Sequence, residues 1–166
     1  MSLNKITTCL WFDGRAEEAA NHYIAIFKNS EITQIQRDTD AGKEAPGGDT
    51  GTAKVVAFKL DGRPFIGLNG GPYFKFNEAI SFQVECTDQA EIDSYWERLG
   101  EGGDESKQRC GWLVDKFGVS WQVIPKQLKE FLGGPDKEGA ARATSEMMRM
   151  KKLDIAALKK AYDGET

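Results

Sequence analysis

The chain holds one histidine and three cysteines in 166 residues, and it lacks the apolar run of about 18 residues that a membrane-spanning helix needs. No membrane partner is expected. Cys9, Cys86 and Cys110 are odd in number, far apart and without C-x-x-C spacing, so neither a disulfide framework nor a cysteine metal cluster is encoded. A reducing compartment follows. Met1–Lys5 also lacks the basic start and apolar stretch of a secretory signal, and the expected location is cytoplasmic. A basic excess is missing too: 22 Lys and Arg against 26 Asp and Glu leave a net charge of −4, without the surplus that drives affinity for phosphate backbones. Nucleic acid is not expected as a partner. The single His22 falls on a helix beside an apolar stripe, a surface or boundary position, and no Ser/His/Asp or Cys/His/Asp arrangement emerges with it.

What is present reads as one compact globular chain, with 40% hydrophobic and 29% charged residues. Ile6–Phe12 is β-branched and aromatic and stops at Asp13-Gly14, a strand followed by a turn. From Arg15 the apolar positions Ala16, Ala19, Ala20, Tyr23, Ile24 and Phe27 recur every three or four residues, one face of a helix. Glu17 and Glu18 lie in its first turn, where they complement the helix dipole. Glu31–Arg37 reads as a strand near an edge. Asp38–Gly51 has four glycines and no large apolar residue, and reads as a mobile loop, either an exposed hairpin connection or a lid. Thr52–Leu60 and Arg63–Asn69 are strands joined by the tight Asp61-Gly62 turn.

The stretch Phe65–Val84 is a seam. It passes through Gly67-Leu68-Asn69-Gly70-Gly71-Pro72 and an aromatic crossing into a second alternating run, Ala79–Cys86. Beyond it the element order repeats. Thr87 or Asp88 can cap a helix with Ile92, Tyr95, Trp96 and Leu99 on one face. Lys107–Val114 and Val119–Ile124 are the following strands, turned at Asp115-Lys116-Phe117-Gly118, with one trailing strand either missing or merged into 103–114. Lys126–Leu132, 138–151 and 154–162 are helical. Met147, Met148 and Met150 suit an irregular groove, either on the chain's own domain or at a dimer contact.

These motifs carry a resemblance. Cys9-Leu10-Trp11-Phe12 with Ala16-Glu17-Glu18-Ala19, the Gly67–Pro72 run, and Phe76–Phe82 are its first half. Cys110-Gly111-Trp112-Leu113, Asp115–Gly118 with Ser120-Trp121-Gln122, and Met150–Ile155 complete it. The chain resembles the PhnB-like proteins, often labelled 3-demethylubiquinone-9 3-methyltransferase-like, of the glyoxalase/bleomycin-resistance (vicinal oxygen chelate) superfamily. That resemblance implies an α+β fold of two paired βαβββ units forming a curved mixed sheet, usually as a homodimer. The glyoxalase-like domain would then span 1–132, with units at about 5–72 and 78–125, followed by a helical tail over 133–166.

Superfamily enzymes hold a divalent metal with His and Glu. By the resemblance the four positions fall near Thr8, Asn69, Ala79 or Ser81, and Gln122, and none is His, Asp or Glu. Neutral hydroxyls and amides are weak ligands for such ions, so no metal and no other cofactor is expected. A methyl-transfer cofactor would need a glycine-rich loop opening a helix, but Gly67–Gly71 leads to Pro72 and aromatics. What the residues do offer is a polar face with Thr8, Asn69, Ser81, Gln83 and Gln122, bordered by Phe74, Phe76 and Trp112. A few fixed polar groups within an aromatic lining suit a small ligand, although the same groups could simply satisfy one another inside the sheet. Trp11, Trp96 and Trp121 should then face the helices or the core. The expected function is metal-independent binding of a small molecule. Two alternatives stand beside it: a lyase, isomerase or transferase of the superfamily with an atypical metal site, and a structural or regulatory homodimer.

Overall fold

A computed structural model of the protein describes residues 5–37 and 52–165. The expected Asp38–Gly51 loop lies outside them. The fold is α+β, and its contacts divide into two compact units, Met1–Phe76 and Asn77–Thr166. Among the described residues no helix is long and apolar enough to cross a membrane.

The first unit follows β1 (Thr8–Phe12), α1 (Ala16–Ile26), β2 (Glu31–Arg37), β3 (Ala53–Leu60) and β4 (Arg63–Asn69). Its sheet order is β1-β4-β3-β2. β1 lies parallel to β4, and the Asp61-Gly62 turn makes β3 and β4 an antiparallel hairpin. The helix forms on the expected stripe: Ala16, Ala19, Ala20 and Tyr23 have no exposed surface. Three alanines let α1 lie close on the sheet. Gly67 matches them from below, since a Cβ there would stand 3.1 Å from the Ala16 Cβ. Phe58 and Phe65, paired across β3 and β4, stack at 5.5 Å between ring centroids, a cross-strand contact that adds to their burial.

Burial decides which parity of each strand meets α1. Leu10, Phe12, Phe65, Asn69, Val56 and Phe58 are buried. Trp11 is not among them. It departs from the expected core position because β1 is apolar on both parities, and Leu10 and Phe12 take the helix side. The Trp11 ring instead meets Phe74 edge-on at 4.8 Å, and its indole N–H donates to the Gly71 carbonyl at 2.9 Å.

The second unit runs β5 (Ser81–Cys86), α2 (Gln89–Gly100), β6 (Trp112–Val114) and β7 (Ser120–Pro125), then α3 (Leu128–Gly133), α4 (Lys137–Met147) and α5 (Ile155–Asp163). Its sheet order is β5-β7-β6, with β5 parallel and β6 antiparallel to β7. Asp88 caps α2 by accepting from the Glu91 N–H at 2.9 Å. The strand expected over Lys107–Val114 is shorter. Asp104 accepts from the Ser106 N–H, which starts a single 3-10 turn at Glu105–Lys107, and pairing resumes only at an Arg109–Trp112 bridge.

That bridge closes a two-residue turn. The Arg109 N–H donates to the Trp112 carbonyl at 3.0 Å, and the Trp112 N–H returns to Arg109 at 2.8 Å. Cys110 and Gly111 between them have φ of 52° and 83°, the positive values that characterise a type I′ hairpin turn. The tail seals this turn from outside. The Met150 and Lys151 carbonyls accept from the Cys110 and Gly111 N–H groups at 2.8 Å each. Leu153, fully buried, lies so close that a Cβ on Gly111 would be 3.0 Å from it. Gln89 on α2 holds the same segment, donating to the Leu153 carbonyl and accepting from the Ile155 N–H. The helical tail therefore packs on the second unit, around Ile124, Phe131, Ala143, Leu153 and Leu158. Full burial of a leucine is worth about 1.5–3 kcal/mol, and Leu153 and Leu158 both reach it.

Candidate functional site

Strand register assembles the site in the second unit. Gln83 pairs with Gln122, and Gln122 with Trp112, giving one row of three side chains across the sheet. Ser81, Ser120 and Val114 form the next row. Because alternate residues point to opposite faces, both rows share a face. Phe82, Trp121 and Leu113 fall on the other, where Trp121 and Leu113 are buried. Trp121 thus takes the expected core position, and its N–H donates to Asp115 at 2.8 Å. The same buried carboxylate accepts from the Phe117 and Val119 N–H groups, which fixes the turn between β6 and β7.

Three of the polar side chains are linked. Gln83 Nε2 donates to Gln122 Oε1 at 3.3 Å, and Gln122 Nε2 donates to Ser81 Oγ at 2.8 Å. Ser120 Oγ, with the residue 1% exposed, has no hydrogen-bond partner among the described residues. In front of this row opens a cavity of about 640 Å³. Gln83, Gln122 and Trp112 line the sheet side; Leu128 and Leu132 on α3 and Met147 and Met148 at the end of α4 line the opposite wall. Glu78, Lys107 and Arg109 bring charge to it. Lys107 Nζ lies 2.6 Å from Glu78 Oε1. The hydrogen bond from Lys107 holds the Glu78 carboxyl below the usual carboxylate range, and the same bond raises the Lys107 ammonium.

The expected ligand-binding residues separate. Gln83, Trp112 and Gln122 line the cavity, and Ser81 stands directly behind Gln122. Thr8, Asn69, Phe74 and Phe76 belong to the first unit and are not among its lining residues. Thr8 opens β1 opposite Phe65. Phe74 is exposed against Trp11, and Phe76 meets Phe12 edge-on at 5.3 Å. Asn69 is buried, and both ends of its amide are used by the fold. Its Oδ1 accepts from the Ala16 N–H at 3.0 Å and its Nδ2 donates to the Ala53 carbonyl at 2.8 Å. Arg15, the residue at the N-cap position of α1, makes no side-chain cap, so Asn69 supplies the cap from 53 residues away. Sequence reasoning did not place Glu78, Lys107, Arg109 or Cys110 at the site. The methionines were the available signal, since Met147 and Met148 are the groove-filling residues now found on its wall.

The sequence profile of the 3-demethylubiquinone-9 3-methyltransferase family matches residues 4–124. The chain belongs to that family. The PhnB protein of Bacillus cereus is 36% identical, with a TM-score of 0.64, over 74% of this chain and 99% of that one. Protein PA1353 of Pseudomonas aeruginosa (18% identity, TM-score 0.57, 74% and 97% covered) and the fosfomycin resistance protein FosX of Listeria monocytogenes (16%, 0.53, 78% and 97%) show the shared glyoxalase-like fold. No curated protein matches the chain. The family match ends at 124, and α3, α4 and α5 lie past it.

The superfamily's metal and the family name's methyl donor can be tested against the residues present. The candidate metal positions offer a hydroxyl on Thr8, carboxamides on Asn69 and Gln122, and Ser81 or the methyl of Ala79. These are neutral, weak donors for ions that favour imidazole and carboxylate. Asn69 has already committed both amide groups. Among the described residues no three His, Cys, Asp or Glu side chains gather, and this donor set does not fit a divalent metal. Gly67–Gly71 runs into a turn at Pro72-Tyr73 rather than a helix, so it offers no helix N-terminus to a nucleotide-like methyl donor.

Proposed function

We propose that the protein binds a small molecule, without a metal, in the cavity between the sheet of the second unit and its helical tail. The observation that carries this reading is the row Gln83–Gln122–Trp112 facing a wall of Leu128, Leu132, Met147 and Met148. A volume of about 640 Å³ falls within the range of pockets for small ligands, and an apolar lining with a few placed polar groups is their usual composition. The amides of Gln83 and Gln122 and the hydroxyl of Ser81 form a directed chain, so their donors and acceptors are oriented before a ligand arrives. Neutral donors at the family's metal positions support the metal-independent part. Binding as a homodimer belongs to the same reading, supported by the exposed apolar side chains of Tyr73, Phe74 and Ile80. The three free thiols agree with a cytoplasmic setting.

Fluorescence titration with anilinonaphthalene sulfonate, an apolar dye, tests the cavity. The dye should bind the protein at one site, with the signal lost in Leu132→Trp, which fills the cavity from α3. Undiminished binding in that variant removes the cavity from the reading. Elemental analysis and manganese titration test the metal-independent part, and a stoichiometric ion released by Gln122→Leu would overturn it.

A further inference from the structure

The charges on the cavity are unequal in what they have left to offer. Its lining carries one acidic side chain, Glu78, and two basic ones, Lys107 and Arg109. Glu78 and Lys107 face each other at 2.6 Å and largely neutralise one another. Among the described residues no carboxylate is paired with Arg109. The lining therefore presents one net positive charge, carried by a planar guanidinium whose donors match the two oxygens of a carboxylate.

The backbone fixes where this charge stands. Arg109 begins the type I′ turn, hydrogen-bonded in both directions to Trp112. Trp112 in turn occupies the row beside Gln122. Across the turn, Cys110 Sγ lies 3.7 Å from Met148 Sδ, and its N–H is held by the Met150 carbonyl. One short turn thus ties the cation to the amide row on one side and to the thioether wall on the other. A ligand filling this space has to meet a guanidinium at one end and Leu128, Leu132, Met147 and Met148 along its body.

Resting on the reading of the cavity as a binding site, we infer that its ligand is a small amphipathic anion, a carboxylic acid with an aliphatic or thioether-compatible body. The carboxylate pairs with Arg109 and the body lies against the wall built by the tail. The pliable methionines accept bodies of differing shape, so selection is by charge and length more than by outline. The helices α3 and α4, which lie beyond the family match, are then the segment that chooses the ligand, while the sheet supplies the polar row.

Calorimetric titration of the full chain with octanoate, octanol and octylamine separates the possibilities. Octanoate should bind at one site, and octylamine should be rejected. Arg109→Gln, at an exposed position, should weaken octanoate about tenfold or more, the loss expected from removing a charge-assisted hydrogen bond, and leave octanol unchanged. Lys107→Met should weaken octanoate far less than Arg109→Gln. Octanol or octylamine binding as well as octanoate, with Arg109→Gln silent, overturns the anion while the cavity stands. Failure of all three probes, with Leu132→Trp indistinguishable from the unmodified chain, overturns the cavity itself.

Discussion

Asn69 in the first unit and Gln122 in the second are both carboxamides on strands, near the positions that the resemblance assigns to metal ligands, and the fold treats them differently. Asn69 is 3% exposed, and its amide closes the start of α1 and ties down β3. Gln122 is half-buried, bonds only to its polar neighbours Gln83 and Ser81, and faces a cavity. The difference shows that residue type says little about role in a sheet protein. What matters is whether backbone groups nearby lack partners. The α1 N-terminus has an orphan N–H and takes the nearest acceptor, whereas the strands around Gln122 satisfy their own backbone and leave its side chain free for other use.

This contrast can be broken at either end. Asn69→Leu keeps the size but strands the Ala16 N–H and the Ala53 carbonyl in the core. A loss of about 2–4 kcal/mol is expected, read from urea denaturation, with dye binding to the folded protein retained. If that variant instead lost the dye and kept its stability, the two amides would share a role. Gln122→Leu should do the reverse, changing stability by about 1 kcal/mol or less, because Ser81 and Gln83 retain access to water, while octanoate affinity falls. A third measurement sharpens the contrast within the second unit. Burial, followed by the charges of Glu91 and Asp88, pushes the Cys86 thiol from 9.0 up to about 12. Below pH 9 the thiol is neutral whether the chain is folded or not, and its contribution is fully present. As pH rises from 9 toward 12 the unfolded chain ionises first, so stability is lost across that window. Unfolding midpoints between pH 8 and 11 should fall less steeply in Cys86→Ala than in the unmodified chain, and should show no pH-linked difference near neutrality.

The element order was legible from periodicity. The alanine stripe of α1 and the Asp61-Gly62 hairpin appear within a residue or two of where spacing places them, and the repeat after the seam follows in order, with the strand expected over Lys107–Val114 starting only at Trp112. Facing was legible only where one parity is clearly polar. In β7 and β5 the polar residues Gln122, Ser120, Ser81 and Gln83 mark one side, and they do share it. In β1 both parities are apolar, so alternation could not say whether Leu10 or Trp11 meets the helix. The site was half legible for the same reason. Gln83, Trp112 and Gln122 follow from strand parity, but Arg109 and Lys107 sit in a segment that spacing reads as strand and that Asp104 and the Cys110-Gly111 turn bend away. Contacts between the tail and this turn depend on backbone hydrogen bonds more than 30 residues apart in the chain, which no local pattern encodes.

The seal on the Cys110-Gly111 turn also sets an order of events during synthesis. Two of the carbonyls that hold it belong to Met150 and Lys151, so while the ribosome is still translating α4 the turn lacks its outer hydrogen bonds and the face with Gln122 lacks the methionine half of its far wall. The methionine part of the cavity wall forms only once Met147–Lys151 have left the exit tunnel, and a chain terminated before Met147 would leave the amide row and Trp112 faced by Leu128 and Leu132 alone.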